Sequence, residues 1–186
     1  MPGVTVSQAF ANERNNALAL RLLTQGFTAR SVLQQLMAND PYAEYRQIGV
    51  IDRSGMAVAH TGPHTRGWSG HVVGENYVAF GNGLVGPEVA DAIAKGFLAE
   101  PDADLEHRLL MGIEAGRDAG GQGTRERHKA ERSAALRVYS TRRLCRHRPA
   151  RRSACDGGRG AAARLDRVQA VRSLLSRPRA QPDAAR

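Results

Sequence analysis

The chain has 186 residues, 41% hydrophobic and only 5% aromatic, with 27 Lys and Arg against 18 Asp and Glu, a formal balance of +9. That length supports one domain with a real core, and so large a positive charge would ordinarily point to nucleic acid or an anionic membrane as partner. The distribution excludes that reading for most of the chain: residues 1–138 hold 14 basic and 15 acidic side chains, a balance of −1, whereas residues 139–186 hold 13 arginines and three aspartates, a balance of +10.

Residues 3–9, GVTVSQA, alternate weakly and predict a short strand at the N-terminus. Asn12 is a helix N-cap residue, and residues 11–24 place Ala17, Leu18, Ala19, Leu20, Leu22 and Leu23 on a broad apolar face with Glu13, Arg14 and Arg21 opposite, ending at Gly26. Thr28 opens a second helix over 29–38, with Val32, Leu33, Leu36 and Met37 on one side and Asn39-Asp40-Pro41 as its stop. Residues 47–52 and 56–61 form a hairpin through Arg53-Ser54-Gly55, and strands at 71–73 and 77–80, broken at Gly74, extend it to a meander. Pro87 suits the first position of a helix carrying Val89, Ile93, Phe97 and Leu98. A further helix over 105–118 turns Leu105, Leu109, Leu110 and Ile113 inward and Glu106, Arg108, Glu114 and Arg117 outward. The Gly120-Gly121-Gln122-Gly123 run breaks it, residues 124–129 form a charged loop, and 132–139 read as a last strand. The fold class is therefore α+β: an antiparallel sheet core with two helical layers.

Several spaced signatures carry a family resemblance. They are RQIGVID at 46–52, Thr61-Gly62, WSGH at 68–71 and GNGLVGP at 81–87. In this order the chain resembles the bacterial family called domain of unknown function 1028, grouped with the N-terminal-nucleophile (Ntn) hydrolases. The resemblance implies an Ntn-hydrolase-like αββα sandwich, here incomplete, and an amidohydrolase role for intact relatives. It implies an unidentified small-molecule or amide substrate and no cofactor. Ntn chemistry uses Thr, Ser or Cys as residue one, with its own α-amine as base. Here Met1 is followed by Pro2, and TVSQAFANE at 5–13 matches a family position that follows two strands, so an N-terminally truncated and inactive chain is expected. The resemblance divides the chain into a partial domain, 1–139, and an Arg-rich tail, 140–186. Reading residues 144–160 one base later permits a string like the family's last strand, T-G-L-R-V-D, so the tail is expected to be frameshifted and without stable structure.

The candidate pocket consists of Gln8, Asn12, Gln47, Thr61, Trp68, His71 and Asn82. Gln8 and Asn12 match polar family positions facing the nucleophile region, although Asn12 also serves as an N-cap. His71 and Asn82 lie beside glycines, where backbone can approach a ligand closely. Trp68 is a packing residue by size, and Asp52 is a turn residue that accepts backbone N–H bonds. His60 and His64 flank a Gly-Pro turn and not a helical i, i+4 face, so they form no metal pair, and Cys145, His147 and Cys155 fall short of a four-ligand zinc spacing. No metal is expected. The start lacks the basic and apolar regions of an export signal and no apolar run reaches a membrane span, which favours a cytoplasmic protein. RNA binding through the Arg-rich tail, by phosphate contacts and stacking, is an alternative function, and otherwise nucleic acid is expected to bind only non-specifically, by charge. A homo-oligomer is compatible with these features, as is a non-catalytic binding or scaffold protein.

Overall fold

Asn12 and Thr28 set the first two helices. Asn12 accepts from the Arg14 N–H at 3.1 Å and Thr28 from the Ser31 N–H at 3.3 Å, each satisfying a donor that a helix start leaves unpaired. In the computed structural model, which describes residues 2–129, these caps precede α1 (Glu13–Thr24) and α2 (Ala29–Asn39). Ahead of them runs β1 (Gly3–Ala9). After a short 3-10 turn, Ala43–Tyr45, come β2 (Arg46–Asp52), β3 (Ala57–Thr61), β4 (Trp68–Gly74) and β5 (Tyr77–Leu84). The helices α3 (Pro87–Leu98) and α4 (Leu105–Asp118) follow, then two-residue strands β6 (Gln122–Gly123) and β7 (His128–Lys129). The expected strand at 132–139 and the tail lie outside the described residues, and no described helix is long and apolar enough to cross a membrane.

All strand pairs are antiparallel and form two sheets, β1-β2-β3 and β4-β5-β6-β7. One face of the first sheet packs on α1 and α2 around Leu23, Val32, Leu36, Ile48 and Val50, all fully buried. Side chains alternate across a strand, so Gln47 and Gly49 face the other way, toward the second sheet. A Cβ on Gly49 would sit 3.0 Å from the Phe80 ring, and this glycine lets the sheets close upon each other. The far side of the second sheet meets α3, with Tyr77 against Phe97 at 5.4 Å between ring centres.

Asp52 joins the layers locally. Its Oδ1 accepts from the Ser54 N–H at 2.9 Å and the Ser54 hydroxyl at 2.6 Å, as expected of a turn aspartate. Its Oδ2 also accepts from the Ala29 N–H at 2.8 Å, tying the β2–β3 hairpin to the start of α2. The Ser54 hydroxyl, then the Ala29 N–H, hold this carboxyl below its ordinary value.

The structure corrects three expectations. Strands β4 and β5 extend to Trp68 and Leu84 through glycine-rich sequence, because pairing with each other overrides the weak strand propensity of WSGH and FGNGL. The charged loop contains β7, which pairs with the glycine-rich break at Gln122–Gly123. On α4, Leu105 and Ile113 are not inward but 46% and 39% exposed; Gly112 and Gly116 occupy the buried line instead. The seam between α3 and α4 is so narrow that a Cβ on Gly96 would lie 2.6 Å from the Met111 carbonyl oxygen and 2.8 Å from the Ala115 Cβ. Gly→Ala within a helix ordinarily adds about 1 kcal/mol of stability. For Gly96→Ala the overlap reverses the sign, and thermal unfolding should show a net loss of about 1 kcal/mol or more; a raised Tm would refute the tight seam.

Candidate functional site

Gln8, Gln47 and Thr61 are neighbours across the first sheet, because the strand register places Gln47 opposite Gln8 on one side and Thr61 on the other. The side chain of Gln47 is fully buried and reaches the second sheet. Its amide nitrogen lies 2.8 Å from the Gly81 carbonyl and 3.3 Å from the Gly70 carbonyl. Carbonyls only accept, so this atom must be the NH2 group and the Gln47 oxygen must be an acceptor. The amides of Gln8 and Asn82 then donate to that oxygen at 2.9 and 3.0 Å.

The network continues to His71. The Gln47 NH2 also donates to the Thr61 hydroxyl oxygen at 3.0 Å, and that hydroxyl lies 2.9 Å from His71 Nδ1. A hydroxyl oxygen can accept twice, so the direction of this bond follows the imidazole tautomer: a ring with its hydrogen on Nε2 accepts from Thr61, and one with its hydrogen on Nδ1 donates to it. Partial shielding of the ring from solvent, and then the charge of His60, push the His71 pKa below its ordinary 6.5. In the tautomer with its hydrogen on Nε2, acceptance from Thr61 favours the neutral ring as well. Above the ordinary imidazole range this residue contributes no pH dependence. As pH falls through that range toward the folded pKa, the unfolded chain binds the proton more readily and stability drops. An NMR titration should find His71 titrating below 6.5, and with Thr61 as the donor Thr61→Val should raise its pKa; an unchanged or lower value in the variant would refute that donor role.

The structure thus brings together Gln8, Gln47, Thr61, His71 and Asn82. Gln8 Oε1, Asn82 Oδ1 and His71 Nε2 make no hydrogen bond among the described residues, and His71 is exposed. Trp68 stays outside this network: its ring lies where a Cβ on Gly70 would be, 2.4 Å away, so Gly70 is required for the strand to carry the indole. Asn12 caps α1 and donates to Asp40 at 3.5 Å. His60 contacts the Ala43 carbonyl at 3.0 Å, whereas the His64 ring leans on Tyr45 at 5.0 Å. Among the described residues no group of three or more His, Cys, Asp or Glu is placed to hold a metal. Ser7 points to the opposite side of β1 from Gln8, away from His71, which removes it as a partner for that imidazole.

Two features were not legible as site elements. The acceptors on Gly70 and Gly81 are backbone atoms, with no side-chain signature. Arg46, read only as the first residue of a motif, is 8% exposed and grips Asp40, with Nε 2.5 Å from Oδ2 and Nη2 3.2 Å from Oδ1. Arg46 also donates to the Phe10 carbonyl, while Asn15 donates to Asp40 at 2.5 Å. Beside them lies a cleft of about 650 Å³ lined by Asn12, Arg14, Arg21, Asn39 and Tyr42 among others, which shares only Asn12 with the candidate residues.

No curated protein matches the chain. It is similar to the crystal structure of protein SPO2555 from Silicibacter pomeroyi, assigned to DUF1028, at 29% identity and a TM-score of 0.58. That likeness covers 62% of this chain and 54% of the other, so the chain spans about half the length of that relative. The model of a family of unknown function, DUF1028, matches residues 1–155, which runs past residue 139, where the sequence resemblance had been expected to stop. The chain belongs to the DUF1028 family of unknown function.

Proposed function

We propose that this chain is an Ntn-hydrolase-like domain whose described residues recognise an amide-bearing small molecule and do not cleave it. The observation that carries the reading is the fixed orientation of the Gln47 amide. It compels Gln8 and Asn82 to turn their nitrogens inward, leaving two carbonyl oxygens outward beside His71 Nε2, which carries the ring hydrogen when Thr61 donates to Nδ1. An amide supplies the complement: its N–H groups donate to the two oxygens and its C=O accepts from the imidazole. Helices on the outer faces of two facing antiparallel sheets support the Ntn-like layering.

Cleavage is a separate matter. Ntn chemistry draws on the α-amine of the nucleophile's own residue. Thr61 sits inside β3 with its nitrogen in a peptide bond, and Gln47 already donates to its oxygen. Recognition is tested by following backbone and side-chain NMR signals while adding primary and secondary amides, together with an assay for released ammonia or amine. Shifts at Gln8, Asn82 and His71 without release are expected. Release that disappears in Thr61→Val would replace this reading with a Thr61–His71 hydrolase, and absence of shifts with every amide would replace it with a scaffold role.

A further inference from the structure

Asn82 is the one asparagine in the sequence that is followed by glycine; Asn76, in the turn before the same strand, is followed by Tyr77. Asparagine is among the chemically labile side chains, because the backbone nitrogen of the next residue can attack its amide carbon and close a five-membered imide. Glycine in that next position hinders the attack least, having no Cβ. Gly83 has a φ of 64°, in the left-handed region, so the strand itself calls for glycine there.

Both nitrogens of that reaction are held. Asn82 Nδ2, the group that would leave, donates to Gln47 Oε1 at 3.0 Å. The Gly83 nitrogen, the group that would attack, donates to the Arg66 carbonyl at 2.8 Å. The loop carrying Arg66 also presses on this residue, since a Cβ on Gly67 would lie 2.9 Å from the Gly83 Cα. Asn82 and Gly83 are only half-buried, so water reaches them once the two bonds open.

We propose that Asn82 is a site of self-modification, clamped by Gln47 and the Arg66 carbonyl, whose conversion to aspartate or isoaspartate dismantles the Gln47 network. When the clamp opens, a bond forms between the Gly83 nitrogen and Asn82 Cγ, the Cγ–Nδ2 bond breaks, and the Gly83 amide hydrogen ends on the departing nitrogen as ammonia. Water then adds to either imide carbonyl and leaves a carboxylate, so water is the only other reactant. As aspartate, the product turns an acceptor toward the Gln47 oxygen where a donor had been. As isoaspartate, the main chain runs through the former side chain and is one carbon longer within β5. Neither product can restore the bond to Gln47, so the change runs in one direction.

The inference rests on the hydrogen bonds of Asn82 and Gly83 and is independent of what the network binds. The full chain is incubated at mildly alkaline pH, folded or unfolded in urea, and digested with trypsin; cleavage after Arg66 and Lys95 puts Asn76 and Asn82 in one peptide. Fragment masses should place the exchange of NH2 for OH on Asn82 and not on Asn76, with one ammonia released per modified chain. Conversion in the folded chain should be measurable but about tenfold or more slower than in urea, the effect of holding two hydrogen bonds. Gln47→Leu, which removes the acceptor of Nδ2, should speed the folded chain about fivefold; if that variant does not fold, urea short of the unfolding transition should speed the native chain in the same sense. Equal rates in the folded and unfolded chains, conversion at Asn76 as fast as at Asn82, a folded Gln47→Leu variant no faster than the native chain, or a folded chain still unmodified long after the unfolded one has converted would each overturn the proposal.

Discussion

Gln47→Glu should unfold at a lower temperature than the native chain, and the difference should widen as pH rises from about 4 to 8. The substitution changes little but the NH2 group, which becomes an oxygen facing the carbonyls of Gly70 and Gly81. An ionised carboxylate there is fully buried, donates nothing and repels both acceptors. An uncompensated buried charge costs about 3–5 kcal/mol, a large part of the 5–15 kcal/mol that holds a domain together. Burial and the facing carbonyls raise the folded pKa of this Glu above its unfolded value of about 4.3. Stability relative to the native chain is then greatest below the unfolded pKa, where a protonated carboxyl can still donate to one carbonyl, and is lost as pH rises through the folded pKa. Gln47→Leu serves as the uncharged comparison: it strands the same partners, but its penalty should be flat across that range. If the penalty of Gln47→Glu were equally flat, the orientation of the amide, and with it the outward-facing rim, would be wrong.

Most elements are legible because local chemistry and burial agree. β1, the Pro87 start of α3 and the span of α4 follow from alternation, N-terminal proline preference and helical spacing. Agreement fails where glycine carries the structure. Leu105 and Ile113 have the hydrophobicity of inward residues, yet the close approach at Gly96, Gly112 and Gly116 turns that helix so that its small residues face α3. Hydrophobic periodicity gives glycine no weight, so it selects the wrong face. The candidate site divides in the same manner. Gln8, Gln47, Thr61, His71 and Asn82 are recognisable as polar residues in strand sequence, but their convergence depends on two sheets meeting and on carbonyls 23 and 34 residues away in sequence from Gln47. Asn12 and Trp68 are of similar residue type, and only tertiary contacts reveal that one caps a helix and the other packs on Gly70.

Arg46→Met is expected to destabilise the chain by about 3–5 kcal/mol at neutral pH, because it removes the cation from a buried carboxylate and leaves the carboxylate in place. The side chains of Asp40 and Arg46 are 1% and 10% exposed, so solvent cannot compensate. Methionine retains most of the apolar length of arginine, which limits the loss of packing. The Phe10 carbonyl, just beyond β1, loses its donor too, coupling the damage to the sheet. In the native chain the Arg46 hydrogen bond, helped by Asn15 and the Tyr42 N–H and opposed by burial, holds the Asp40 carboxyl far below its ordinary 3.8. That depressed group contributes stability above 3.8 and loses it as pH falls through the folded pKa. Without Arg46, burial acts with less opposition and raises the folded pKa, so acidification toward pH 4 should narrow the gap between variant and native chain. Urea unfolding at pH 7 and pH 4 measures both effects. A loss under about 1 kcal/mol at pH 7 would place this pair in the class of exposed ion pairs, against its burial. Asp40→Asn, which keeps a hydrogen-bonding group but leaves Arg46 without its counter-charge, should also be strongly destabilising, and the double substitution should lose less than the sum of the two.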